Sequence, residues 1–130
     1  MSFEEVNVNP QEVRFSQDSI SRKFTQDYSC SINENGRFSI ISKPSSVRVV
    51  CQQMEMGLIK PSDFPAIEVY KDENGITWSN DNRRLWVFRK AGVTSVPAKL
   101  SSTPLFRAPP PPEKREGMAR ADYFPLVRGG

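Results

Sequence analysis

The distribution of proline limits most tightly what this chain can fold into, because proline fixes its own φ and has no backbone N–H to donate. Six of the eleven prolines lie beyond Leu100, where no periodic apolar pattern remains: Pro104, the run Pro109 to Pro112, and Pro125. We therefore expect a folded domain over residues 1–100 and an extended or flexible proline-rich tail over residues 101–130, with its aromatic residues disordered or loosely packed on the domain. The proline run predicts an extended polyproline II rod, and we expect the tail to be dispensable for folding.

Two residue types that dominate enzyme chemistry are absent or scarce. The chain has no histidine, which excludes Ser–His and Cys–His nucleophile systems, histidine zinc sites and imidazole acid–base catalysis. The two cysteines, Cys30 and Cys51, are too few for a four-thiolate metal site and do not form a Cys-x-x-Cys pair. Any catalysis must therefore use carboxylates, arginine, lysine, tyrosine, hydroxyls, backbone amides or a metal held by oxygen ligands.

Charge and hydropathy favour an intracellular protein. Lys and Arg total 18 against 15 Asp and Glu, and this net charge of +3 is too small to indicate binding of nucleic acid or membranes by bulk electrostatics. No stretch approaches the roughly 20 apolar residues of a membrane span, and the N-terminus lacks the features of a signal peptide. We expect a cytoplasmic or nuclear protein with no membrane partner and with both cysteines as free, idle thiols.

The middle of the chain carries the clearest helical pattern. Pro44 and Ser45 suit a helix start, and Gly57 suits its end. Between them, apolar residues recur at helical spacing: Val47, Val50, Cys51 and Met54. We therefore expect Cys51 to lie on the apolar face as a buried, unreactive thiol.

Strand signals lie on both sides of that helix and predict an α+β domain. Val13 and Phe15 indicate a short strand, followed by a helical turn that Ser16 caps and that places Ile20 and Phe24 on one face. Asn-Gly pairs predict hairpins at residues 35–36 and, more strongly, at 74–75, where the flanking residues alternate cleanly. A final strand is predicted over residues 96–100, with Pro97 indicating an edge strand.

The residues that carry chemistry lie at the start of a second predicted helix, residues 81–92. A helix N-terminus offers unpaired backbone N–H groups and a partial positive charge, so Arg83 and Arg84 stand where a purely structural helix would favour acidic residues. Two guanidinium groups beside free amides predict a site for phosphate or another oxyanion. Asp81 can cap the helix, hold a metal or act as a base. The alternative is that Asp81 or Asn82 only caps the helix and that both arginines are solvated.

A second polar cluster precedes the first helix. Residues 14–19 read RFSQDS, and the hydroxyls, the amide of Gln17 and the carboxylate of Asp18 suit contact with a polar ligand. The same residues equally suit an ordinary capped turn. Glu68 alternates with apolar neighbours in a predicted strand, so we expect a solvated carboxylate there.

These two clusters together resemble the ParB-like/sulfiredoxin superfamily. The resemblance rests on residues 13–20, VRFSQDSI, and residues 78–88, WSNDNRRLWVF, and it spans roughly residues 8–100. Where chromosome-partitioning members carry Gly-Glu-Arg-Arg, this chain has Asp81-Asn82-Arg83-Arg84. The reactive cysteine of sulfiredoxins also corresponds to Asn82, which excludes peroxiredoxin repair.

The resemblance implies a compact α+β fold, with a mixed sheet packed by short helices and a phosphate pocket at Arg83 and Arg84. It also implies a nucleotide or nucleic-acid ligand, and in several members of the superfamily hydrolysis or transfer of phosphate. From the two clusters together we expect ligand binding by Gln17, Ser19, Asn82, Arg83 and Arg84. We expect Asp81 and Asp18 as the catalytic carboxylates, with Mg²⁺ as the metal.

Three classes of function stay open. The first is a nucleotide-phosphate enzyme: a hydrolase, a phosphotransferase or a nuclease that holds a metal through Asp81 or Asp18. The second is a module that binds nucleotide or nucleic-acid phosphate without chemistry. The third is an interaction protein with a vestigial pocket, in which Pro109 to Pro112 dock on a partner's aromatic groove.

Overall fold

The computed structural model describes residues 3–24, 30–32, 38–40 and 46–129. Eight strands lie in it: β1 (Phe3–Val8), β2 (Ser19–Ser21), β3 (Cys30–Ile32), β4 (Phe38–Ile40), β5 (Ile67–Lys71), β6 (Thr77–Ser79), β7 (Val96–Ser101) and β8 (Leu126–Arg128). Three α-helices accompany them: α1 (Val47–Glu55), α2 (Asn82–Lys90) and α3 (Pro112–Met118). In this part of the chain, no helix has the length and apolar character needed to cross a membrane.

The main sheet has four strands in the order β1-β7-β5-β6. β7 pairs antiparallel with β1 and parallel with β5, and β5 pairs antiparallel with β6. Two smaller sheets are the parallel pair β2-β8 and the antiparallel pair β3-β4. The prediction of an α+β domain with a mixed sheet is confirmed.

The predicted hairpin at residues 74–75 joins β5 to β6. Asp72 organises its turn, because Oδ1 accepts hydrogen bonds from the backbone N–H groups of Asn74 and Ile76, both at 2.9 Å. Gly75 has φ +82°, a left-handed conformation that favours glycine. Asp72 Oδ2 also accepts a hydrogen bond from Nε1 of the fully buried Trp78 at 2.8 Å. One carboxylate thus fixes both the turn and the indole beneath it.

Helix α1 follows the predicted apolar pattern, with Val47, Val50, Cys51 and Met54 all buried. Its N-cap is Ser46, whose Oγ accepts a hydrogen bond from the N–H of Val49 at 3.0 Å. The predicted starting residues, Pro44 and Ser45, lie outside the described residues, as does the Asn-Gly turn at 35–36. The arms of that hairpin are present as the antiparallel pair β3-β4.

Two local predictions are wrong. Ile20 lies in strand β2 rather than on a helical turn, because β8 supplies a backbone partner and places Val127 opposite Ile20. β7 is an inner strand, although Pro97 indicated an edge. Proline is tolerated there because it precedes Ala98, the residue at which pairing of β7 with β5 begins.

The C-terminal segment, residues 102–129, contains α3 and β8 and is packed against the domain, where the sequence predicts an extended or flexible tail with at most loosely packed aromatic residues. Pro112 is the first residue of α3, a position that proline tolerates because its missing N–H has no helical acceptor. Ala108 and Met118 of this segment form a core cluster with Trp78. Pro110 is also buried, which leaves only Pro111 and Pro112 of the run exposed as a docking rod would require.

Arginines of the domain hold this segment by its backbone. Arg14 Nε donates to the carbonyl of Ala119 at 2.8 Å, and Arg89 Nη2 donates to the carbonyl of Ala121 at 2.5 Å. The guanidinium carbon of Arg89 also lies against two neighbouring rings, 5.0 Å from the centroid of Phe15 and 4.5 Å from that of Phe124. Burial lowers the pKa of Arg89, and the charge of Arg14 lowers it further. The aromatic faces and carbonyls compensate for burying this cation.

Candidate functional site

A pocket of about 390 Å³ opens at the N-terminus of α2. Four arginines line it, two from the first turn of α2 and two from the C-terminal segment: Arg83, Arg84, Arg107 and Arg128. Among the lining residues in the described part of the chain, Asp81 supplies the single carboxylate. The pocket is therefore strongly cationic, although the chain as a whole carries a net charge of only +3.

Asp81 and Arg84 form an ion pair at the base of the pocket. Arg84 Nη2 lies 2.7 Å from Asp81 Oδ1, and Asp81 Oδ2 accepts a hydrogen bond from the N–H of Glu68 at 2.6 Å. Arg84 Nη1 donates to the carbonyl of Pro65 at 2.6 Å. Since the Asp81 carboxylate bonds to these groups, it makes no capping bond to α2. The helix amides face the pocket end without a side-chain cap.

Arg83 is held on the opposite side of the first turn. Its Nη1 donates to the carbonyl of Lys23 at 2.8 Å, and its guanidinium carbon lies 5.9 Å from the ring centroid of Phe24. The expectation that both arginines stay close to the start of the helix agrees with these contacts. Neither guanidinium is a freely solvated group.

Asn82 connects the polar cluster of residues 14–19 with the start of α2. It is buried, and its Oδ1 accepts the backbone N–H of Ser16 at 2.8 Å. Its Nδ2 donates to Oγ of Ser16 at 3.0 Å and to Oε1 of Gln17 at 3.2 Å. Asn82 therefore positions Gln17, which also lines the pocket, and its own polar atoms are directed to the protein rather than to a ligand.

Asp18 and Ser19 do not line the pocket. Asp18 pairs with Lys114 of α3, with Lys114 Nζ 2.6 Å from Asp18 Oδ2, and both side chains are about half exposed. The hydrogen bond and the charge of Lys114 lower the pKa of Asp18. Ser19 lies in β2 opposite Leu126 of β8. The structure thus brings together Gln17, Asp81, Asn82 and both arginines of α2, and leaves the second predicted carboxylate outside.

Sequence reasoning missed Arg107 and Arg128, because both lie in the segment that the sequence predicts to be an extended or flexible tail. Arg107 is placed by its backbone N–H, which donates to Oδ1 of Asn80 at 2.8 Å. Asn80 in turn donates from Nδ2 to Oε1 of Glu68 at 3.1 Å, so the Glu68 carboxylate is half-buried and bonded rather than solvated. Nothing local in the sequence signals this arrangement, since Asn80 and Arg107 are 27 residues apart.

The donor set of the pocket does not fit a protein-bound Mg²⁺. Among the residues that the structure describes, no three His, Cys, Asp or Glu side chains cluster as metal ligands. Asp81 offers one carboxylate, and Arg84 and the Glu68 N–H already bind its two oxygens. Mg²⁺ prefers oxygen ligands that are free to complete an octahedron.

Comparison of the chain with family models, with curated proteins and with solved structures finds no match. The resemblance to the ParB-like/sulfiredoxin superfamily therefore stays a prediction.

Proposed function

We propose that this domain binds a phosphate-bearing ligand, a nucleotide or nucleic acid, in the arginine pocket at the start of α2. The observation that carries the proposal is the convergence of four arginine side chains on one pocket. An anion bound among these guanidinium groups is attracted by each of them, so the pocket favours an anionic ligand.

Phosphate suits this pocket better than an isolated carboxylate would. A guanidinium group presents a planar fork of donors that matches two oxygens of a phosphate, and several forks can bind one phosphate group together. The uncapped N-terminus of α2 adds a partial positive charge at the same place.

Binding without chemistry is the form of this function that the contacts favour. A general base must be within hydrogen-bond reach of the proton that it removes. The Asp81 carboxylate is committed to Arg84 and to the Glu68 N–H, and Asp18 pairs with Lys114 outside the pocket. We therefore propose that Asp81 orients Arg84 and is not a catalytic residue.

The test changes the two pocket arginines that the C-terminal segment supplies, Arg107 and Arg128. Arg107→Gln with Arg128→Gln is preferable to changes at Arg83 and Arg84, which donate to backbone carbonyls. Titration calorimetry with tripolyphosphate at fixed low salt should show binding to the native protein. The double variant should bind at least about tenfold more weakly, since one charge-assisted contact contributes roughly 1.5–3 kcal/mol.

Arg120→Gln is the matched control, because Arg120 is an exposed arginine of the same segment that pairs with Asp122 and does not line this pocket. It should leave the affinity unchanged. Equal affinity of the native protein and the double variant would refute the proposal that phosphate binds in this pocket. Release of phosphate from ATP with Mg²⁺, abolished by Asp81→Asn, would instead assign catalysis to Asp81.

A further inference from the structure

Phe106 is the most exposed large apolar residue among those that the structure describes. Its side chain is 90% exposed and lies directly beside the arginine pocket, since its ring centroid is 5.3 Å from the guanidinium carbon of Arg107. A single exposed apolar residue is common on protein surfaces and by itself indicates nothing. The way the backbone presents Phe106 is what distinguishes it.

The backbone of the loop that carries Phe106 is held in place by hydrogen bonds and by packing at its base. Leu105 and Ala108 exchange two backbone hydrogen bonds, with N···O distances of 2.7 and 3.3 Å, which leaves Phe106 and Arg107 at the tip. Ala108 is fully buried beside Trp78 and Met118, so the base of the loop is anchored in a core cluster. The Arg107 N–H is also bonded to Asn80. These bonds fix the backbone of a loop that exposes an aromatic side chain to water.

We propose that Phe106 is a stacking platform for the nucleobase of a free nucleotide whose phosphates bind the arginine pocket. This inference rests on the proposed function. Aromatic side chains stack with nucleobases of any type, because every base has a π-face. The guanidinium of Arg107, a pocket residue, lies near the Phe106 ring. Because the side chain is 90% exposed, the ring still has free surface on which a base can stack.

A free nucleoside triphosphate fits the charges better than a nucleic-acid strand. The four arginines surround one pocket of about 390 Å³, so they match several phosphates concentrated on one small molecule. A single strand instead carries one phosphate per nucleotide, and proteins bind it with basic residues that follow a groove. Only one described aromatic ring, that of Phe106, stands exposed beside this pocket.

The variant Phe106→Ala distinguishes the contribution of the base to affinity from that of the phosphates. We expect ATP and CTP to bind the variant about 5- to 150-fold more weakly than the native protein, the range for losing one base–aromatic stack. Tripolyphosphate should bind both proteins equally, and Phe106→Trp should retain nucleotide affinity. Phe3→Ala is the matched control, because Phe3 is an exposed phenylalanine of β1 outside the pocket, and it should change nothing.

The outcomes separate this inference from the proposed function. If tripolyphosphate fails to bind the native protein, the phosphate pocket itself is refuted. If tripolyphosphate binds but Phe106→Ala leaves the affinity for ATP unchanged, the platform alone is refuted. A ten-nucleotide single strand that binds more tightly than ATP at the same salt would overturn the assignment to a free nucleotide.

Discussion

The carboxamide of Asn82 accepts the backbone N–H of Ser16 at 2.8 Å across 66 residues of chain. This contact joins the segment before β2 to the first turn of α2, and both line or flank the arginine pocket. Both residues are buried, so each polar atom left without a partner would carry the full cost of its desolvation.

We predict that Asn82→Ala destabilises the domain by about 1–3 kcal/mol, because the buried Ser16 N–H loses its acceptor. Urea denaturation followed by tryptophan fluorescence measures the change. Asn7→Ala, at an exposed position of β1, is the control and should stay within about 0.5 kcal/mol of the native protein. Equal midpoints for the two variants would contradict a positioning role for Asn82.

Deletion of residues 102–130 should unfold or strongly destabilise the protein, contrary to the expectation from the sequence. The deleted segment contributes buried Ala108 and Met118, and Tyr123 and Phe124 pack against the main core. Thermal unfolding measured by circular dichroism tests this. A melting temperature within a few degrees of the native value would show that the segment is dispensable.

Met118→Ala tests the same packing with a single substitution. Met118 is 3% exposed, and truncating a buried methionine costs about 2–5 kcal/mol. Met56→Ala is the matched control, because Met56 is 71% exposed and its truncation should cost less than about 0.5 kcal/mol. Similar losses at the two positions would argue against a packed C-terminal segment.

Cys51 should resist alkylation in the folded protein. Burial raises the pKa of its thiol to about 12, and the hydrogen bond to Glu55, with Sγ 3.0 Å from Oε1, acts in the same direction. In a Cys30→Ser background, iodoacetamide at mildly alkaline pH should label the native protein far more slowly than the urea-unfolded chain. Equal labelling rates in the two states would mean that the thiol is accessible.

Asp72 should make the hairpin sensitive to acid. Burial raises the pKa of Asp72, but the bonds from the Trp78 indole and from the N–H groups of Ile76 and Asn74 outweigh it, so the pKa falls below 3.8. The stabilising contribution is therefore present above pH 3.8 and is lost as the pH falls through the lower folded-state pKa. The measured free energy of unfolding should therefore decrease as the pH is lowered below 3.8.

Asp72→Asn should lower stability at neutral pH and flatten the decline in acid, because the group no longer titrates. Glu73→Gln, at the exposed neighbouring position, is the control and should preserve the native profile. An acid profile of Asp72→Asn identical to that of the native protein would assign the loss of stability to other carboxylates.

The sequence by itself determined the elements whose signals are local. The periodicity of Val47, Val50, Cys51 and Met54 predicts α1 and its buried face, and the Asn-Gly pair at 74–75 predicts the β5-β6 hairpin. It also located Asp81, Arg83 and Arg84 together, since all three belong to one turn of one helix. Hydrophobic spacing and turn conformation depend on residues that are close together in the chain, so the amino-acid sequence shows them directly.

Only the tertiary structure determined how the C-terminal segment packs and which residues line the pocket. Proline content indicated an extended tail, but Arg14 and Arg89 bind its carbonyls and β2 pairs with β8. The same packing delivers Arg107 and Arg128 to the pocket and leaves Asp18 outside it. These contacts join residues that are far apart in sequence, and their free energy comes from burial and pairing that exist only once the chain has folded.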